Sequence, residues 1–330
     1  MKRLIITFIA VLAAASVFAQ HTTANESMRI FVKEGEEVLT RFPSKYLDND
    51  ARINVILPEG YAQAQGPFPA VYLLGNESLD KAGAQKIFGR SGFLAKAVLV
   101  VVKITGGGNI ADFTTRELVP YIDLNYKTDN LPQNRVITAE GQMAVKVLQM
   151  LAANNGYFYN AALLLQDNTA MPAFRDNFSS NLKVFAAGSV GNIARLQFQL
   201  EEKGLKFPVN FATVIFEPQN DDRQWSKLNF NYLLGGADKT PSKIKVYKSA
   251  GKISQKDEGP VRMWLEVKTK GGDIFNYIPR DLKFSPPFLE WDASSADLAV
   301  IYGATPGTVK ISGPLYFYNK GFKTSVKIAD

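Results

Sequence analysis

The sequence predicts an α/β protein: a mainly parallel sheet with helices on both faces, followed by a C-terminal β-sandwich. Short apolar runs recur from about residue 28 to 236. Several are near-continuously hydrophobic, as strands buried on both faces must be. Stretches with helical periodicity separate them, and such alternation specifies a parallel sheet covered on both sides. Beyond residue 237 the helical patterns stop, and short strand-like runs follow between Gly, Pro, Asp and Asn turns.

The first element precedes the fold. Lys2 and Arg3, an apolar run from Leu4 to Val17 and the small residues of Val17-Phe18-Ala19 read as a signal peptide over 1–19, cleaved before Gln20. The run is short for a membrane span of about 20 residues. The expectation is an exported bacterial protein, periplasmic or extracellular, with no membrane span after signal removal. The α/β domain is expected over 20–236. Its strands are predicted at Ile53–Leu57, Ala70–Leu74, Val98–Val102, Val136–Ala139, Ala161–Leu165, Val184–Ala187 and Phe211–Phe216. Helices are predicted at Phe113–Tyr126, Gly141–Ala153, Asn192–Lys203 and Gln224–Leu234, with Thr114 and Glu117 at capping-box spacing. Residues 237–242 read as a linker. The β-sandwich is expected over 243–330, with strands at Lys243–Lys248, Val261–Thr269, Leu298–Tyr302, Gly307–Ile311 and Thr324–Ile328.

Composition narrows the chemistry. The 330 residues include no cysteine, which removes disulfides, thiolate metal sites and lipoprotein attachment. The formal charge is +7, and loss of Lys2 and Arg3 leaves 36 basic against 31 acidic side chains, +5. Residues 239–330 hold 15 Lys/Arg and 9 Asp/Glu, +6, so the rest of the mature chain is near neutral. That bias could favour anionic surfaces or polysaccharides; a solvated lysine-rich β surface is the simpler reading. No motif supports nucleic-acid binding.

ARINVILPEGY (51–61), FPAVYLLG (68–75), FTTRELVPYIDLNYKT (113–128) and NNGYFYNAALLLQDN (154–168) occur in this order. Together they resemble the esterase D and feruloyl-esterase-like branch of the α/β-hydrolases. The segment WDASSADLAVIYGATPGTVKISG loosely resembles bacterial Ig-like repeats, so the sandwich is expected to be Ig-like. The first resemblance implies a Ser/Asp/His triad acting on carboxylic esters. The family's Gly-x-Ser-x-Gly elbow, which projects a serine above the sheet, falls on Ala139-Glu140-Gly141-Gln142-Met143. The nucleophile position is therefore Gly141, which suits a positive φ but has no attacking atom. The family's base histidine, opening His-Asp-x-x-x-Trp, falls on Asn220 of Asn220-Asp221-Asp222-Arg223-Gln224-Trp225. An amide cannot cycle a proton at neutral pH. The acid of Gly-x-x-Asp falls on Gly191 of Gly188-Ser189-Val190-Gly191, and the His-Gly of the oxyanion loop becomes Leu74-Gly75-Asn76.

These departures imply a degenerate triad at Gly141, Gly191 and Asn220 and no catalytic residue. Candidate pocket-lining residues are Gly75, Asn76, Glu140, Gln142 and Asp221. His21 is the single histidine of the mature chain, so no metal site and no cofactor are expected. Glu140, Glu217, Asp221 and Asp222 lie at predicted strand ends, where a carboxylate pair could act on glycosides. Solvated turn acids and a helix N-cap are the plainer account. The loop Thr105-Gly106-Gly107-Gly108-Asn109-Ile110-Ala111-Asp112 lacks the Lys-Ser/Thr of a phosphate loop and reads as a turn. Trp225, Trp264, Trp291, Tyr157-Phe158-Tyr159 and Tyr316-Phe317-Tyr318 read as packing before ligand contacts. The resulting expectation is an esterase-like pseudoenzyme that binds a polysaccharide, a cell-wall component or a protein partner. The alternative is a carbohydrate-ester (acyl or feruloyl) hydrolase with residual or unconventional activity.

Overall fold

The computed structural model describes residues 30–33, 35–75, 81–88, 96–154, 156–166, 169–207, 209–216, 228–234, 241–249, 263–269, 271–278, 282–285, 288–292, 308–311, 316–318 and 321–326. The expected signal peptide over 1–19, Asn76, Glu217, Asn220, Asp221, Asp222, Trp225 and the strand expected at Leu298–Tyr302 lie outside them.

The α/β part contains strands β1 (Ile30–Lys33), β2 (Glu36–Phe42), β3 (Ala51–Ile56), β4 (Ala70–Gly75), β5 (Val98–Lys103), β6 (Arg135–Glu140), β7 (Asn160–Leu165), β8 (Lys183–Gly188) and β9 (Phe211–Ile215). They lie in the order β1-β2-β3-β5-β4-β6-β7-β8-β9. From β5 to β9 every pairing is parallel, and β1, β2 and β3 join by antiparallel pairs. This is the mainly parallel sheet, accompanied by helices, that the sequence predicts. The predicted apolar runs become these strands because each is hidden on both faces. All six positions of β7 are buried, and only the last position of β4 and of β6 reaches solvent. Tyr72 of β4 is edge-on to Phe158 at 5.4 Å, so the second aromatic of Tyr157-Phe158-Tyr159 packs as expected.

Five helices accompany the strands among the described residues. They are α1 (Lys81–Phe88), α2 (Ile110–Asp112, Phe113–Leu118 and Val119–Asn125 in continuous succession), α3 (Gly141–Ala153), α4 (Val190–Glu202) and α5 (Phe230–Leu233). The middle segment of α2 is π-helical. The chain leaves β4, forms β5 on one side of it, then returns to form β6 on the other. The carboxyl ends of β4 and β6 are thus a topological switch point, where open α/β sheets bind ligands.

One local expectation is corrected. The predicted capping box at Thr114 and Glu117 does not form, because α2 starts earlier. Asn109 caps it by accepting from the Asp112 N–H at 3.1 Å. Thr114 is buried, and Glu117 accepts from the Ser44 hydroxyl at 2.5 Å and the Lys45 N–H at 3.3 Å. Further strands follow the linker expected at 237–242. Strands β10 (Pro241–Ser249), β11 (Met263–Thr269) and β12 (Ile274–Tyr277) follow, then β13 (Leu282–Ser285), β14 (Phe288–Asp292), β15 (Thr308–Ile311), β16 (Tyr316–Tyr318) and β17 (Gly321–Val326). β12 pairs antiparallel with β9, and the order continues β9-β12-β11-β10-β17-β16, a single 14-stranded sheet. β13, β14 and β15 form a separate three-stranded sheet. Most strands of the expected sandwich therefore extend the α/β sheet.

The physical reason is β12, whose sequence IFNY was too short to announce itself. Phe275 and Tyr277 are buried in the α/β core. Phe275 meets Tyr232 at 5.5 Å and Phe185 at 6.2 Å, and Tyr277 meets Phe207 at 4.7 Å. Asn276 accepts the Ile215 N–H on its side chain at 2.7 Å, and its carbonyl accepts from Thr213 Oγ1 at 2.5 Å. Gln197 of α4, fully buried, donates to the Ile278 carbonyl at 2.7 Å and accepts the Ile278 N–H at 2.9 Å. Its carboxamide thus substitutes for a neighbouring strand at the end of β12. Gln197→Leu leaves both backbone groups buried and unpaired, and the expected loss is about 2 kcal/mol in urea unfolding.

Candidate functional site

The site is a row of strand ends. β6 runs extended through Glu140, at φ −125° and ψ 158°, and α3 begins at the next residue. Gly141 makes this reversal at φ +54°, in the left-handed region where L side chains are strained. The strand-to-helix elbow expected at this point is therefore present, and its apex is a buried glycine.

The space above the apex is occupied. A Cβ on Gly141 would lie 2.8 Å from Gln166 Oε1 and 3.4 Å from Gln166 Cδ. Gln166 follows β7 directly, so its carboxamide stands where a side chain at position 141 would project. Its backbone is fixed on the other side. The Gln166 carbonyl accepts from Asn192 Nδ2 at 2.5 Å and from the Thr169 N–H at 3.0 Å. Asn192 is buried in the first turn of α4. Gly141, Gln166 and Asn192 thus join the ends of three neighbouring strands in one small polar patch of carboxamides and backbone.

Of the other expected positions, Gly75 ends β4 and its carbonyl accepts the Ile104 N–H at 2.8 Å. Glu140 is half-buried and Gln142 is exposed at the start of α3, both engaged with neighbours. Helix α4 begins at Val190, with Ser189 as its N-cap residue, so Gly191 lies inside the first turn and not in a preceding loop. Gly188 explains the tight start. A Cβ there would lie 2.7 Å from the Leu165 carbonyl oxygen, so β7 and β8 approach as closely as backbone allows. Gln166 and Asn192 were not singled out from the sequence. Gln166 sits one residue past the buried run of β7, and the strand-end rule could have flagged it.

The glycine loop before α2 also closes this edge. The Gly107 N–H donates to Asp48 Oδ2 at 3.0 Å, and the Asn109 N–H donates to the Tyr46 carbonyl at 2.7 Å. Gly108 has φ +116°, and a Cβ there would lie 2.4 Å from that same Tyr46 oxygen. The Gly107 donor already holds a carboxylate of the chain itself, in keeping with a turn and against a phosphate loop.

No family model matches the sequence, and no curated protein matches it. Solved structures do resemble this chain. A ferulic acid esterase aligns at 16% identity over 60% of this chain and 94% of that chain, with a TM-score of 0.43. The fluorophosphonate-binding serine hydrolase FphF of Staphylococcus aureus aligns at 13% identity over 58% and 94%, TM-score 0.42. An S-formylglutathione hydrolase from Agrobacterium tumefaciens aligns at 11% identity over 62% and 95%, TM-score 0.40.

Proposed function

We propose that this chain is an exported, esterase-like α/β-hydrolase homologue that has lost its triad and works by binding rather than hydrolysis. The observation that carries the reading is the elbow: Gly141 keeps the positive φ of a nucleophile turn while Gln166 fills the nucleophile's space. Asn220 at the base position and a single histidine in the mature chain support it from the sequence. An Asn cannot act as the proton acceptor that an ester hydrolase requires. A polysaccharide, a cell-wall component or a protein is the class of partner that an exported scaffold would meet.

Short-chain p-nitrophenyl esters and a fluorophosphonate probe test this on the mature chain. The expected result is no labelling, with ester turnover equal to that of a Glu140→Ala/Asp221→Ala variant. Turnover clearly above that variant would overturn the reading in favour of unconventional hydrolysis.

A further inference from the structure

The end of β7 carries hydrogen-bonding groups that the fold itself leaves unused. Gln166 is exposed, and its carboxamide bonds to no residue among those described. The side chain is nevertheless held in place. The Gln166 carbonyl accepts from Asn192 Nδ2 and from the Thr169 N–H, which fixes the backbone from which it projects. Its Oε1 lies over the Gly141 apex, 2.8 Å from where a Cβ would stand.

The two residues that fix Gln166 have capacity to spare as well. Asn192 is 4% exposed and gives Nδ2 to the Gln166 carbonyl, while its Oδ1 accepts from no described residue. Thr169 is 2% exposed, and its buried hydroxyl has no partner among the described residues. Buried polar side chains are paired in the large majority of cases, and one left alone costs about 1–3 kcal/mol. A valine would fill the volume of Thr169 without that cost. Three side chains around one carbonyl therefore hold unspent donors and acceptors, two of them on buried residues. They stand at the carboxyl ends of β7 and β8, beside the elbow, where open α/β sheets take their ligands.

The chemistry of the patch defines what would satisfy it. Gly141, Gln166, Thr169 and Asn192 carry no charge, so nothing in the patch compensates an ionised group. A carboxamide offers a donor and an acceptor side by side, the complement of a secondary amide. A threonine hydroxyl and an asparagine oxygen complement hydroxyl groups. An amide flanked by hydroxyls is the pattern of an N-acetylated amino sugar, whereas a peptide backbone repeats amides without hydroxyls.

We infer that this patch binds the acetamido group of an N-acetylated amino sugar. Gln166 Nε2 donates to the acetyl carbonyl, Gln166 Oε1 accepts the amide N–H, and the sugar hydroxyls meet Asn192 Oδ1 and Thr169 Oγ1. The inference rests on the binding reading and names the ligand class for the same strand ends. Ester turnover and sugar binding are separate readouts, so either reading can fail alone.

Titration calorimetry of the full mature chain with triacetylchitotriose tests it. Cellotriose, with a hydroxyl in place of each acetamido group, is the neutral control. Saturable heat is expected with triacetylchitotriose only. Gln166→Glu keeps an acceptor for the amide N–H and loses the donor to the acetyl carbonyl, so it should weaken binding about tenfold. Thr169→Val removes a buried, unpaired hydroxyl, so it should weaken binding about threefold to tenfold without lowering Tm. A hydroxyl that served the fold would lower Tm on removal, so this pair of readouts separates a ligand contact from a structural one. Absence of saturable heat, equal heat with cellotriose, or affinity unchanged in Gln166→Glu overturns the inference. So does equal binding of N-acetyl-dialanine methylamide, which would mark a peptide groove.

Discussion

Replacing Phe275 with Ala is expected to destabilise the entire α/β sheet by about 3–5 kcal/mol, the usual cost of emptying a buried Phe site. The residue belongs by sequence to the C-terminal part, yet its ring lies among Tyr232 and Phe185. Phe185 is on β8, one of the parallel strands, and is fully buried, so a cavity at Phe275 opens inside the main core. Residues more than 60 positions apart also share hydrogen bonds here, Thr213 with Asn276 and Gln197 with Ile278. A C-terminal module that folded by itself would give two unfolding transitions, and Phe275→Ala would move only one. With β12 inside the sheet, calorimetry should show the transition of the parallel sheet itself moving to lower temperature. For the same reason a chain ending at residue 236 is expected to be insoluble, because it exposes Phe185, Phe207 and Tyr232 along an unpaired β9 edge. A soluble, cooperatively folded 20–236 fragment would refute this account.

The same region marks the limit of what the residues reveal in isolation. Strands β4 to β9 were legible because strands buried on both faces leave runs of Val, Ile, Leu and Ala that few other structures require. Helix α3 was legible to its ends, Gly141 and Ala153, because its apolar positions recur at helical spacing behind a glycine turn. β1 and β2 were not, since a half-exposed edge hairpin with Glu36 buried and Thr40 exposed carries no clean alternation. Nor was β12, in which four residues give too few repeats of period two. The false capping box at Thr114 arose because spacing alone cannot reveal that Asn109 already starts the helix and that α2 widens to a π turn. At the site, Gly141 was legible through the elbow pattern that surrounds it. Gln166 and Asn192 were not, since a carboxamide that fills space or braces a carbonyl has no motif. Only the adjacency of β6, β7 and β8 brings the two together with Gly141.

That adjacency sets the outcome of the most direct attempt at reactivation. Gly141→Ser restores the residue that the elbow pattern implies, but the expected result is a protein with no detectable esterase activity. Where all three triad groups are present, losing the nucleophile or the base alone costs roughly 10⁶-fold in kcat, because the groups act as a unit. On the proposed reading the sequence has Asn220 at the base position and Gly191 at the acid position, so a deficit of that order should remain. The substitution also meets two local penalties. At φ +54° a non-glycine residue costs about 1–2 kcal/mol. The new Cβ lies 2.8 Å from Gln166 Oε1, which must swing aside. Because that contact is with the end of a flexible side chain, Gln166→Ala should recover the steric part and leave the backbone strain. A double-mutant cycle of Gly141→Ser and Gln166→Ala, measured by urea unfolding, should therefore show favourable coupling between the two substitutions. Stability that is simply additive would mean that Gln166 does not occupy the nucleophile's space in solution. Ester turnover by Gly141→Ser alone would mean that a base other than Asn220 reaches the elbow.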